Sequence, residues 1–169
     1  TGEAVPVDDN NIITFHLKYD EMTRTLYTLG YEERHGGLRT VLKQHSGRNY
    51  ERSTTLLSYP GEDSEATLAV DPVSSRIFTS LGYGKVHMYA WNGFTFLEPI
   101  NHIPRSLHVH EGFLYSLNGD SSISVWNTDN GNLLMTIYIF KDFSWAVVPK
   151  EGEPFTHGGA ERYIHTVYE

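Results

Sequence analysis

Two histidines one residue apart, in His108-Val109-His110, form the sharpest metal-like pattern in the chain. Residues i and i+2 of a strand project from one face. Both imidazoles could then turn to a single zinc ion, with His102 or Glu111 as a third donor. No spacing fixes that third ligand, so structural or solvated histidine is the leading reading and metal the alternative. Serine, histidine and aspartate are all present, but no Gly-x-Ser-x-Gly elbow presents a nucleophile. Ser80 and Ser116 fall inside apolar strand segments and read as small packing residues. Asn127-Thr128-Asp129-Asn130-Gly131 offers alternating oxygens to calcium, yet it lacks the sixth-position glycine and the downstream glutamate of an EF-hand. Glu62-Asp63-Ser64-Glu65 is a solvated acidic loop or a site for a basic partner. His35-Gly36-Gly37 and His157-Gly158-Gly159 are glycine-rich, but neither stands between a strand and a helix N-terminus, where phosphate would be cradled. The aromatics Tyr83, Trp91, Phe94 and Phe96 surround an Asn92-Gly93 hairpin tip. Those left exposed are the predicted anchors for a protein partner, since aromatics dominate interface hot spots.

Composition narrows the chemistry further. The chain has 169 residues and no cysteine, so thiolate catalysis, disulfides and cysteine-bound zinc are excluded. A formal charge of −8 argues against nucleic acid and anionic lipid, both of which need a basic face. No apolar run reaches the roughly 18 residues needed to span a bilayer. The N-terminal Thr1-Gly2-Glu3-Ala4-Val5-Pro6 has no signal-peptide character, and the compartment stays open. No cofactor is expected.

The elements that must hold these residues are strands. Short runs rich in Ile, Val, Thr, Tyr and Phe alternate with turn residues along the whole chain. Fourteen strands are predicted, from Ile12–Tyr19 to Tyr163–Val167, with helix allowed only at Gly159–Tyr163. Repetition then selects the architecture. Ile77-Phe78-Thr79-Ser80-Leu81-Gly82 parallels Leu114-Tyr115-Ser116-Leu117-Asn118-Gly119, and Tyr89 parallels Trp126, all at a spacing of 37 residues. Each aromatic is followed by an Asn-Gly turn, Asn92-Gly93 or Asn130-Gly131, the strongest short hairpin signal. An earlier copy, Thr25-Leu26-Tyr27-Thr28-Leu29-Gly30, aligns on its glycine at a spacing of 52.

Ser116-Leu117-Asn118-Gly119-Asp120-Ser121-Ser122-Ile123-Ser124-Val125-Trp126-Asn127 resembles the WD-repeat family's small-residue strand, Gly-Asp turn and Ile-x-Val-Trp-Asp strand. The resemblance implies a β-propeller of four-stranded antiparallel blades. It places Asp120 near the family's turn aspartate and Asn127 at its second signature position. It makes Trp126 and its degenerate counterpart Tyr89 blade-to-blade packing residues. Ala90 replaces the signature Asp in the other copy, and no Gly-His dipeptide precedes any copy. The tail from Trp145 through Pro149, Gly152 and Phe155 is similar to a segment closing some bacterial WD-repeat proteins, and that resemblance implies the C-terminal portion of a larger propeller.

One domain, 1–169, is expected, with approximate blades 12–61, 62–100, 101–140 and an incomplete 141–169. About four blades would close a small ring, or form a partial ring completed by self-association. The predicted function is a non-catalytic scaffold that presents loops and aromatics to a protein partner. The rival reading is a propeller enzyme or ligand-binding protein with a metal or cofactor in the channel, held by His102, His108 and His110.

Overall fold

The computed structural model describes residues 12–34, 37–61, 65–71, 73–80, 85–90, 93–97, 99–100 and 102–164. Period-two patterning buries one face of a strand only when neighbours pair along it, and the chain resolves this by successive hairpins. Sheet one contains β1 (Ile12–Asp20), β2 (Thr25–Arg34), β3 (Gly37–Ser46) and β4 (Arg52–Pro60), in that order. Sheet two contains β5 (Thr67–Asp71), β6 (Arg76–Ser80), β7 (Val86–Ala90) and β8 (Gly93–Phe96). Sheet three contains β9 (Pro104–His110), β10 (Phe113–Asn118), β11 (Ile123–Asn127), β12 (Leu133–Ile139), β13 (Trp145–Pro149) and β14 (Phe155–His157). Every strand ladder is antiparallel. Among the described residues there is no α-helix, only a 3-10 turn at Ala160–Tyr163.

That turn corrects the strand expected from Tyr163, whose remaining residues lie outside the described ones. The expected blade boundary after residue 140 is crossed by pairing. β13 hydrogen-bonds to β12 from Met135↔Pro149 to Ile139↔Trp145, so 141–157 extends sheet three.

Turn chemistry repeats more faithfully than the glycines do. At the β1–β2 turn, Asp20 Oδ1 accepts the N–H of Met22, and its Oδ2 accepts the Thr23 hydroxyl at 2.7 Å. At the β5–β6 turn, Asp71 does the same for the Val73 N–H and the Ser74 hydroxyl. The next residues, Arg24 and Ser75, take left-handed φ values of 51° and 53°. Aspartate side chains build such turns by imitating backbone acceptors. The two turns are 51 residues apart, not the 52 of the glycine alignment. Gly30 does not form a turn at all. It lies inside β2 opposite Thr14, where a Cβ would stand 2.4 Å from the Ile13 carbonyl oxygen. It accommodates the bulge in β1 between Thr14 and His16.

The first strands of the three sheets neighbour one another, β1 beside β5 and β5 beside β9. Two apolar clusters glue the sheets. Tyr27, Leu29 and Leu42 of sheet one meet Leu68 and Ile77 of sheet two. Ala69, Phe78, Val86 and Met88 from the other face of sheet two meet Leu107, Leu114 and Trp126 of sheet three. Each sheet therefore has a leading face toward the sheet before it and a trailing face toward the sheet after it. Trp126 is wholly buried on the leading face of sheet three, and Tyr89 packs against the first cluster from the leading face of sheet two.

Candidate functional site

β8 ends sheet two as an edge strand, and exposed aromatic surface gathers beside it. The Phe96 ring lies 4.7 Å from His87, and Tyr59 of β4 meets His87 edge-on at 5.6 Å. Cross-strand register explains the first contact, since His87 stands opposite Phe96. Phe96 is 57% exposed and Tyr59 is 36% exposed, whereas His87 between them is buried. Desolvation of that imidazole is the main cause of its low pKa, with the Lys85 charge adding to it; His87 is held down to about 4. It is neutral at physiological pH and serves as an aromatic spacer between two exposed rings. A cleft of about 590 Å³ adjoins Phe96 and is also lined by residues 130–134, Lys150 and Glu151.

Of the predicted anchors, only Phe96 is fully described. Phe94 lies in β8 opposite Tyr89, and Tyr83 and Trp91 lie outside the described residues. Tyr59 was not legible as a partner to His87, because the contact joins positions 28 residues apart in two sheets. The turn Asn127–Gly131 beside the cleft is held internally and across sheets. Asn127 Oδ1 accepts the backbone N–H groups of Asp129 and Asn130, while the Asp129 carboxylate binds Arg76 of β6 at 2.6 Å.

The histidines proposed as metal donors are not brought together. His102 Nδ1 lies 3.1 Å from Asp120 Oδ2, before β9 begins. His108 and His110 stand exposed further along β9, opposite Tyr115 and Phe113, and His110 approaches Glu111 at 3.7 Å. Among the described residues no three His, Asp or Glu side chains are grouped to hold a metal ion. Asp120 shapes its turn by accepting the Ser122 N–H and hydroxyl. Burial works to raise its pKa, but those hydrogen bonds and His102 outweigh it, and the net direction is down.

An equivalent turn follows β12. Asp142 accepts the Ser144 N–H and hydroxyl and also binds Arg162 and Tyr163 of the 3-10 turn. The Ser144 hydroxyl leads in lowering its pKa, to about 2. Tyr163 stacks on Phe140 at 4.4 Å, so one carboxylate ties the C-terminal turn to sheet three.

Sheets of four to six antiparallel strands, stacked through unlike faces with their first strands together, define a β-propeller-like fold. Solved structures support that class. The computationally designed Ika4 protein superimposes with a TM-score of 0.55 and 17% identity, over 93% of this chain and 98% of that one. The computationally designed Ika8 protein gives 0.52 and 16%, over 85% of this chain. The chain spans 45% of the length of Ika8. HIRA(644-1017) overlaps at 0.47 with 12% identity, covering 86% of this chain and 52% of that one, too loosely to bear on the fold. No family model and no curated protein matches the sequence.

Proposed function

We propose that the chain is a non-catalytic, protein-binding propeller domain. It takes an extended segment of a partner polypeptide along the edge of β8. The observation that carries this reading is the exposed pair Phe96 and Tyr59 flanking buried His87 beside an open cleft. An edge strand offers unsatisfied backbone groups to an incoming strand, and adjacent pockets select its side chains. Lys150 and Glu151 give the cleft one charge of each sign, which suits a peptide better than a phosphate-rich ligand. The Ser116–Asn127 resemblance supports a degenerate WD-type repeat as the origin of the scaffold.

Selection of random peptides displayed on phage against residues 1–169, followed by counter-screening on Phe96→Ala, tests this reading. Enriched peptides should lose binding to Phe96→Ala at least about tenfold, since exposed aromatics at interface centres commonly contribute more than about 1.4 kcal/mol. Failure to enrich any peptide, or equal binding by Phe96→Ala, would contradict the reading.

A further inference from the structure

The structure holds a second surface, separate from the β8 edge, whose occupant its own repeats specify. The contacts between sheets one and two and between sheets two and three both join the trailing face of one sheet to the leading face of the next. Among the described residues, two such faces remain without a neighbouring sheet: the trailing face of sheet three and the leading face of sheet one.

The trailing face of sheet three follows from the register. Leu117, Ile123, Ile137, Val147 and Phe155 form one row across five strands, and Ile139 and Trp145 stand in the adjoining row. Leu117 is 50% exposed and Phe155 is 66% exposed. At the spacing of 37, Tyr115 and Val125 of this face correspond to Phe78 and Met88, which sheet three buries.

The leading face of sheet one is read at the spacing of 51. Leu17, Tyr19 and Leu26 there correspond to Leu68, Val70 and Ile77, all of which pack against sheet one. The pairings agree as well: Tyr19↔Leu26 matches Val70↔Ile77. Leu17 is nevertheless 59% exposed. Toward β3 this same face is polar and closed, with Thr28 bound to His45 at 2.8 Å and Lys43 to Glu32 at 3.3 Å. The surface open to a partner is therefore the strip along β1.

Propellers run from about four to eight blades. Three sheets are too few to close, two copies supply six, and three copies exceed the range. A two-copy ring contains this contact twice, with each copy supplying its sheet-three face to one contact and its β1 strip to the other. We infer that two copies of this chain associate, the trailing face of sheet three in each packing against the leading β1 strip of sheet one in the other. By repeat equivalence Leu117 corresponds to Leu29 and Leu17 to Leu68, residues of one cluster. Leu117 of each copy thus meets Leu17 of its mate.

Sedimentation velocity on residues 1–169, from about 1 to 200 μM, tests this together with the variants Leu17→Asp and Leu117→Asp. Both positions are exposed in the single chain, so the variants keep their fold, which circular dichroism checks. The expected result is a reversible shift from 19.2 kDa to twice that mass, weakened at least about tenfold by either variant and unchanged by Phe96→Ala. A chain that stays monomeric throughout overturns the inference. A dimer lost with Leu117→Asp but indifferent to Leu17→Asp also overturns it, because it would mean that sheet three pairs with itself. Neither result touches the peptide selection at β8.

Discussion

Two side chains with displaced pKa values contribute to the acid sensitivity of the molecule. His87 takes up its proton only near pH 4 in the folded chain, against an ordinary 6.5. Between those values the unfolded chain binds the proton and the folded chain does not. Stability is therefore full above about pH 6.5 and falls as pH drops toward 4. Thermal unfolding followed by circular dichroism should show that slope, and His87→Phe should flatten part of it; an unchanged slope would show that His87 is not responsible. Asp142 acts in the same direction at lower pH. Its folded pKa of about 2 lies below 3.8, so its contribution to stability is full above pH 3.8 and is lost as pH falls toward 2, and in the folded chain the tie to Arg162 and Tyr163 is released with a midpoint of about 2. The Tyr163 ring resonances should titrate with that midpoint, and Asp142→Asn should give their acid-limit positions already at neutral pH. Resonances that stay fixed across this range would rule out the carboxylate as the tie. Legibility at this scale divides by range. Trp126, Asp120 and Phe96 could be singled out because their signals are local in the chain. Tyr59 could not, because sheet packing alone brings it to His87.

Strands are legible in the sequence nearly throughout, since alternation and Asn-Gly or Asp-x-Ser turns are written close together along the chain. Register is not. Aligning the first copy on Gly30 puts Tyr27 opposite Thr79, whereas the Asp20 and Asp71 turns put it opposite Phe78. A slip of one residue exchanges the two faces of a strand. Under the glycine alignment Tyr27 would face away from sheet two, yet it lies in the cluster between sheets one and two. Gly30 is conspicuous for a reason unrelated to turning: its missing Cβ admits the Ile13 carbonyl. Gly30→Ala should cost about 1–3 kcal/mol in urea unfolding, as overpacking against fixed backbone does; a neutral effect would show that β1 can withdraw from β2. The continuation of sheet three through β13 and β14 is also hidden, because a hairpin within a sheet and a link to a new sheet use the same turn residues. The Asp120 and Asp142 turns illustrate this: each places the residue after its aspartate in the left-handed region, Ser121 at 68° and Phe143 at 63°.

At the scale of the molecule, the sheets stack by unlike faces. That stacking buries Trp126, positions β8 beside the cleft, and leaves one face of each kind for a second copy. Trp126→Ala should destabilise the fold by about 3–5 kcal/mol, the usual cost of truncating a buried tryptophan, with the loss read from denaturant midpoints. The most direct measurement is nuclear Overhauser spectroscopy from the Trp126 indole. Cross-peaks to methyl groups of Ala69, Val86 or Met88, across the boundary between sheets two and three, are the result predicted by the shared cluster. An indole whose cross-peaks stay within sheet three, and which broadens with a soluble paramagnetic agent, would contradict the stacking and everything built on it.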